Sequence, residues 1–353
     1  MKRALVTGAT GMLGGYVVER LLAGGWSVRG LVRDLSRAHA VEALGAQAFV
    51  GDVTSGDAVR AAATGCDAIV HAAAAIGPGS HWETFRAGNV VATENVVAAA
   101  QAAGSRLVHV SSTSVLGRDR YFASPTDESA PLPALPARDA YGRSKQEAER
   151  LVLAAHASGR IWATVVRPPM MYGRRDRQFT PRLAPLLERG VFPLVAGGRN
   201  TLSLVHAHAV ADGAVRAVLT DRAGGRVYHL TNDFAVTVAD LVRYASLGLR
   251  RRIRTPHVPV GAARAAFRAL VPLLVVAGRR DLAPHAAGIF EMLTRDNPFT
   301  SERARRELLW SPVIRPADGL PEAFRWWSER RRGPVSPAAT GPAPAWPPSA
   351  PGS

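Results

Sequence analysis

The chain has 353 residues, 47 % of them hydrophobic and 20 % charged. That is enough apolar content for one large domain or two modest ones, and it excludes a chain that is disordered throughout. The net charge of +16, from 44 Lys+Arg against 28 Asp+Glu, comes without a helix-turn-helix, zinc-finger or RNA-binding signature, so it reads as a solvated arginine-rich surface and not as nucleic-acid binding.

Lys2–Thr7 reads as a short buried strand and Gly8–Gly14 as a glycine-rich turn. Met12–Ala23 follows, with Leu13, Val17 and Leu21 at helical spacing, and Ser27–Val32 is a second strand. This is a βαβ unit with a right-handed crossover. Ala46–Val50 and Ala68–His71 continue as strands. Val90–Ala103 is a helix closed by Gly104, Arg106–Ser111 a strand, Tyr141–Ala157 a helix and Ile161–Arg167 a strand. The alternation predicts an α/β fold, a Rossmann-type doubly wound parallel sheet.

Beyond 170, prolines and short mixed segments predict a smaller C-terminal substrate-binding cap against the carboxyl edge of the sheet, with helices at Val210–Leu219, Val238–Ala245 and Pro316–Arg330. We therefore place a nucleotide-binding domain at 1–169, a cap with some returns to the sheet at 170–332, and a disordered Pro-rich tail at 333–353. The apolar run Leu270–Gly278, interrupted by Pro272, is shorter than the ~20 residues a spanning helix needs. It predicts a buried helix, with peripheral membrane contact as the second reading. Cys66 is the lone cysteine, which fits a reducing cytoplasm. The first strand begins almost at Met1 and leaves no room for a signal peptide ahead of it.

The turn Gly8-Ala9-Thr10-Gly11-Met12-Leu13-Gly14 has glycines three apart, between a strand and a helix. Gly8 permits the tight turn, Gly11 lets the backbone approach a pyrophosphate, and Gly14 lets the helix pack close to the sheet. The phosphates then face the N–H groups and positive dipole end of the helix. Asp52, in Gly51-Asp52-Val53 after the third strand, can accept from an adenine amino group. Arg33 ends the second strand, where an acid usually takes the ribose hydroxyls. An arginine there suits a 2′-phosphate, and so NADP over NAD, although Asp34 follows at once.

Tyr141 and Lys145 are four apart on one helix face. A tyrosine is a poor acid–base group at neutral pH, and a neighbouring ammonium lowers its pKa. Lys2 and Lys145 are the only lysines, every other basic side chain of this class being arginine. A lysine at this one internal position indicates a need for a compact ammonium. Val110–Gly117 ends the fifth strand, where ligands bind in such sheets. Ser112 is our choice to hydrogen-bond a substrate oxygen beside Tyr141, with Ser111 and Thr113 as alternatives.

Together these blocks resemble the extended short-chain dehydrogenase/reductase superfamily, which includes the NAD-dependent epimerases and dehydratases, over residues 1–330. Thr7–Gly14 is similar to its Thr-Gly-x-x-Gly-x-x-Gly, and His71-Ala72-Ala73-Ala74 to the stretch that lies along the cofactor. Asn89-Val90-Val91-Ala92-Thr93 is similar to Asn-Val-x-Gly-Thr, with Ala92 departing from Gly. The resemblance implies catalytic roles for Ser112, Tyr141 and Lys145, a helper role for Asn89, and a place near the nicotinamide for Pro168. It also implies cofactor contacts along Gly8, Thr10, Gly11, Met12, Leu13, Gly14, Asp52, Val53, Ala72 and Ala73. Arg167-Pro168-Pro169-Met170-Met171-Tyr172-Gly173 looks most like the 3β-hydroxysteroid dehydrogenase and dihydroflavonol reductase branches. His208 stands where the family often has Asp or Asn.

The leading expectation is an oxidoreductase acting on a ketone or secondary alcohol of a mainly apolar small molecule. The alternatives are a nucleotide-sugar epimerase or dehydratase with retained cofactor and a non-catalytic NADP-binding regulator; joint presence of the serine, tyrosine and lysine argues against the last. Met170 and Met171 adapt to apolar shapes, and Phe267, Leu270, Leu273 and Leu274 can close over the site or touch a membrane. Against an apolar substrate, Arg174, Arg175 and Arg177 are natural diphosphate ligands. His206 and His208 alternate as metal ligands do, but no third ligand accompanies them, and we expect no metal. A homodimer is compatible with the sequence.

Overall fold

The computed structural model describes residues 1–77, 81–117, 126–231, 234–276, 278, 294, 296–331 and 346, with the backbone alone at 271 and 274–276. Short apolar runs in the first half form β1 (Arg3–Thr7), β2 (Ser27–Val32), β3 (Gln47–Val50), β4 (Ala68–His71), β5 (Arg106–Val110) and β6 (Ala163–Arg167). β4 and β6 are buried along their whole length, as strands covered on both faces must be. Between the strands lie α1 (Met12–Ala23), α2 (Ala38–Glu42), α3 (Gly56–Ala63), α4 (Trp82–Phe85), α5 (Ala92–Ala103) and α6 (Ala140–Ala157). The elements of this half that were read from periodicity stand within a residue or two of their predicted bounds. One differs: the helix expected from Val90 is entered through a π-helical turn, Arg86–Val91, with Asn89 and Val90 buried. Such turns recur at functional sites.

The second half holds β7 (Met170–Tyr172), α7 (Phe179–Leu187), β8 (Leu194–Val195), β9 (Leu204–His206), α8 (Ala207–Leu219), β10 (Val227–His229), α9 (Val238–Leu249), β11 (His257–Val258), α10 (Val260–Val276), α11 (Glu302–Leu308) and α12 (Pro316–Arg331). β10 returns to the main sheet, whose order is β10-β6-β5-β4-β1-β2-β3, parallel throughout. The order reverses between β1 and β4, which opens a crevice at the carboxyl ends of those strands. β7 with β9, and β8 with β11, make two small parallel pairs. Tyr172, Phe179, Leu187, Leu204, Leu241 and Phe324 share the cap's own core. α8 instead joins the sheet core against α1. There Asp212 accepts from Arg20 at 2.8 Å and from Arg216 at 2.6 Å, within apolar surroundings.

One expectation is corrected. The run from Leu270 is helical but not buried: Leu270 is 45 % and Leu273 64 % exposed. Arg264 and Arg268 lie on the same helix and stay in water, so it cannot be enclosed. Leu274 lies outside the described side chains. No helix among the described residues is long and apolar enough to cross a membrane. The tail expectation at 333–353 falls outside the described residues except for Trp346. That residue is not free in solvent: its ring stacks on His208 at 3.7 Å, with the Arg20 guanidinium 5.6 Å from the ring centre.

Candidate active site

β1 ends directly in the glycine turn, and the backbone shows why glycine stands there. Gly8 has φ +72°, and a Cβ on it would lie 2.8 Å from the Ala73 nitrogen. A Cβ on Gly14 would lie 2.1 Å from the Gly8 carbonyl oxygen, so α1 can meet the strand this closely only through glycine. Gly11 is the N-cap of α1 and supplies no side-chain cap. Helix geometry therefore leaves the first amide N–H groups, those of Met12 and Leu13 included, without intrahelical acceptors. The Leu13 side chain is in the core, so its backbone alone faces the crevice end of the helix. The open cradle, with unopposed N–H groups at a positive helix end, fits the diphosphate of a dinucleotide.

A hydrogen-bond chain runs from this turn to α6, the helix of Tyr141 and Lys145. The Ala73 N–H donates to Thr7 Oγ1 at 3.2 Å, and that hydroxyl meets His71 Nδ1 at 2.7 Å. His71 Nε2 lies 3.1 Å from Thr93 Oγ1, which donates to the Asn89 carbonyl at 2.6 Å. With Thr93 giving its own proton to Asn89, His71 Nε2 is the donor to Thr93, and a neutral ring completes the pattern by accepting from Thr7 at Nδ1. Burial enforces the same state by pushing its pKa down to about 3, helped by the Lys145 charge. Asn89, 1 % exposed, accepts from the Ala75 N–H at 2.7 Å and donates to the Ala75 carbonyl and to Ser144 Oγ at 3.2 and 2.9 Å. Ser144 in turn donates to the Tyr141 carbonyl at 2.8 Å. Asn89 thus ties the segment after β4, which holds Ala72 and Ala73, to the first turn of α6.

Asp139 caps α6, accepting from the Gly142 N–H at 3.0 Å. Tyr141 and Lys145 lie on this helix one turn apart. Ser112 stands near enough to the Tyr141 hydroxyl to act on its pKa. Ser111 is turned away, donating to Glu149 at 2.7 Å, and Thr113 is buried. Of the three candidate hydroxyls, Ser112 is the one beside the tyrosine. The expected lowering of the tyrosine pKa is not found. Burial pushes Tyr141 up to about 12, opposed by Ser112. The Lys145 ammonium is aimed elsewhere: 3 % exposed, it donates to the Val110 carbonyl at 2.8 Å. Burial brings Lys145 down to about 8, and Glu149 opposes the fall.

Arg33 stands exposed just beyond β2, and its charge helps to hold Asp52 below the usual carboxylate range, after the Thr54 backbone bond, which is the larger cause. Both Thr54 bonds, at 2.8 and 2.7 Å, go to Asp52 Oδ1. Asp34 is occupied by its own loop, with Arg37 at 3.1 Å and Ser36 in hydrogen-bond contact. Pro168, buried after β6, accepts the Thr113 N–H at 3.1 Å and so anchors the turn that carries Ser112.

Just past β6, Met170 is 47 % exposed and Met171 half-buried. Tyr172 belongs to the cap core, edge-on to His206 at 5.1 Å. His206 Nδ1 accepts the His208 N–H at 3.1 Å and caps α8. His208 is buried against Trp346. Arg174 and Arg175 are engaged: Arg175 meets Glu19 at 2.8 Å, Arg174 meets Glu322 at 3.5 Å, and both lie over the Tyr16 ring. Arg177 is exposed.

Sequence reasoning missed Glu149, Arg167 and Ser144. Glu149 carries a readable signal, one helical turn beyond Lys145. Arg167, at the end of β6, meets Glu149 through a contact that only the fold creates, Nε to Oε2 at 3.0 Å.

The model of the NAD dependent epimerase/dehydratase family matches residues 4–230. The chain is 35 % identical over 326 residues, 90 % of this chain and 94 % of the relative, to 4-hydroxy-2-methyl-3-oxo-4-farnesyl-3,4-dihydroquinoline-1-oxide ketoreductase of Stigmatella aurantiaca. It is 30 % identical to a 3 beta-hydroxysteroid dehydrogenase/Delta 5-->4-isomerase of Mycobacterium tuberculosis, covering 92 % of this chain and 90 % of that one. The crystal structure of UDP-glucuronic acid 4-epimerase from Bacillus cereus in complex with NAD superposes with a TM-score of 0.70 at 19 % identity, over 94 % of this chain and 99 % of that one, a likeness of fold. With the glycine turn, the parallel sheet and these relatives in agreement, the chain belongs to the NAD dependent epimerase/dehydratase family, among extended short-chain dehydrogenases/reductases of the 3β-hydroxysteroid dehydrogenase-like branch.

Proposed function

We propose that the protein interconverts a ketone and a secondary alcohol on a mainly apolar small molecule, using NADP in preference to NAD. The observation that carries this reading is the placement of Tyr141 and Lys145 one turn apart on α6, with Ser112 at the carboxyl end of β5 close enough to act on the tyrosine hydroxyl. A bound nicotinamide would supply or take up the hydride. Tyr141 gives its proton to the carbonyl oxygen in reduction and receives it in oxidation, while Ser112 orients that oxygen. Burial keeps the tyrosine hydroxyl protonated, the form that donates. Lys145 supplies a positive charge under the site. The cofactor-binding set is the Gly8–Gly14 turn, Asp52, Val53, Ala72, Ala73 and Pro168, together with Tyr141 and Lys145, the lysine reaching the nicotinamide ribose. Arg33 takes the 2′-phosphate, and Asp34, held by Arg37 and Ser36, does not oppose it.

Three features support an apolar substrate over a nucleotide sugar. The exposed Met170 offers an adaptable apolar surface. Arg174 and Arg175 are already paired within the fold. The relatives named for substrates carry farnesyl-quinoline and steroid groups, and further relatives are sterol-4-alpha-carboxylate 3-dehydrogenases at 29 % identity.

Tyr141→Phe tests the mechanism. Turnover falls roughly 10²–10⁴-fold while the cofactor dissociation constant stays unchanged; near-normal turnover on the true substrate refutes it. Thermal stabilisation of the NADP-loaded protein by apolar ketones, against UDP- and dTDP-sugars, tests the substrate class. A shift from a nucleotide sugar alone reverses the assignment.

A further inference from the structure

The wall behind Lys145 holds a second buried charge system that the proposed reaction does not use. Glu149 lies one turn beyond Lys145 on α6 and is buried. Three groups from two other elements hold its carboxylate. Ser111 Oγ, just past β5, donates to Oε2 at 2.7 Å. Arg167 Nε, at the end of β6, donates to the same oxygen at 3.0 Å, and a second guanidinium nitrogen meets Oε1. A carboxylate held by a two-point guanidinium contact and a hydroxyl is fixed in place.

We infer that Glu149 is a positioning residue that sets the charge of Lys145 from beneath, and that Arg167 and Ser111 exist to hold the carboxylate there. The inference rests on the role proposed for Lys145.

The surroundings leave few other sources of charge. His71 on β4 and His109 on β5 sit in register and both feel the Lys145 ammonium, but burial keeps His71 neutral and pushes His109 well below its usual value. His229 on β10, in register with Arg167, is held neutral in the same way. Tyr141 on α6 keeps its proton. Glu149 is therefore the formally charged group that acts on the ammonium, and Arg167 meets Glu149 rather than Lys145. Burial drives Lys145 towards the neutral amine and Glu149 acts against that. The arrangement also explains why a buried ion pair, of little value for stability as such, sits directly behind the catalytic helix.

The chain offers a direct readout, because Lys2 and Lys145 are its only lysines. Protein labelled with [13C-ε]lysine shows two signals, and the Lys145 signal can be titrated without substrate or cofactor. In the wild type it titrates near 8. In Glu149→Gln the midpoint falls by about one pH unit, the size typical of losing a nearby opposite charge. In Arg167→Met, which keeps the carboxylate, it stays at or above the wild-type value. The double variant Glu149→Gln/Arg167→Met removes both charges and keeps the test decisive if either single variant fails to fold; its midpoint falls below the wild type. An unchanged midpoint in the glutamine variants, or an equal fall in Arg167→Met, overturns the inference, since a merely structural pair has no reason to move the two in different senses. Tyr141→Phe separates the two readings. If that variant stays active, the catalytic assignment fails while the titration result stands. If it is inactive and the midpoints do not move, this inference alone fails.

Discussion

Replacing Asn89 by alanine perturbs the link between the cofactor side and the catalytic helix. The amide makes three hydrogen bonds, two to the backbone of Ala75 and one to Ser144. At ~1 kcal/mol net for each neutral bond, the loss is roughly 3 kcal/mol. Unfolding entropy scales at ~2.1 cal/mol/K per residue, roughly 0.7 kcal/mol/K for a chain of this length, so Tm falls by about 4 °C. Ser144 keeps its bond to the Tyr141 carbonyl, so α6 itself stays formed. What is lost is the fixed distance between the Ala72–Ala75 segment and Tyr141. Misplacement on the ångström scale costs up to ~10²-fold in rate, so turnover should fall roughly 10–100-fold, with weaker dinucleotide binding. Thermal unfolding, nucleotide titration and steady-state kinetics read the three effects. A Tm within 1 °C of wild type together with an unchanged dinucleotide dissociation constant would refute the reasoning, because three buried bonds cannot be lost at no cost.

Gly14→Ala places a Cβ against the Gly8 carbonyl, 2.1 Å away in the present backbone; calorimetry should find dinucleotide binding abolished in whatever protein folds, and wild-type affinity would show that the turn is not the phosphate cradle. Arg33→Ala should weaken NADPH roughly 10–150-fold, the value of one charge-assisted contact, and leave NADH nearly unchanged; equal losses for both would remove Arg33 from cofactor choice. Lys145 is lowered from 10.5 to about 8, so its charge is present below about pH 8 and is lost as pH rises through that value. Reduction should accordingly fall above pH 8. Over the window from about 8 to 10.5 the unfolded chain binds the proton that the folded chain has lost, so this group makes stability rise with pH there. Denaturant unfolding of wild type against Lys145→Met at both ends of the window isolates that rise, and parallel stabilities would contradict the burial argument.

The local parts of the protein were legible before any fold was known. The strand, glycine turn and first helix follow from residues adjacent in the chain, since Gly8 must take a positive φ and Gly14 must leave room for Gly8. Tyr141 and Lys145 share a face because the helix period puts them there. Alternation of short apolar runs with amphipathic segments was enough for a parallel, doubly wound sheet. By contrast, spacing alone implied that Lys145 would ease the proton off Tyr141. In the fold, burial raises the tyrosine pKa and the ammonium turns to the Val110 carbonyl instead.

Which of Ser111, Ser112 and Thr113 meets the tyrosine could not be read from a run of hydroxyls, because the answer depends on Glu149 claiming Ser111 from 38 residues away. Asn89 reaches Ser144 across 55 residues and Arg20 reaches Asp212 across 192. The arginines after Tyr172 looked free for a diphosphate until Glu19, Glu322 and the Tyr16 ring were placed beside them. The exposed face of α10 and the seat of Trp346 on His208 were likewise invisible in composition. What the amino-acid order determined by itself is whatever depends on backbone freedom and helical or strand period. Burial, charge pairing and the choice among equivalent side chains were decided by tertiary structure alone, because each depends on distant neighbours that displace water from the same few ångströms.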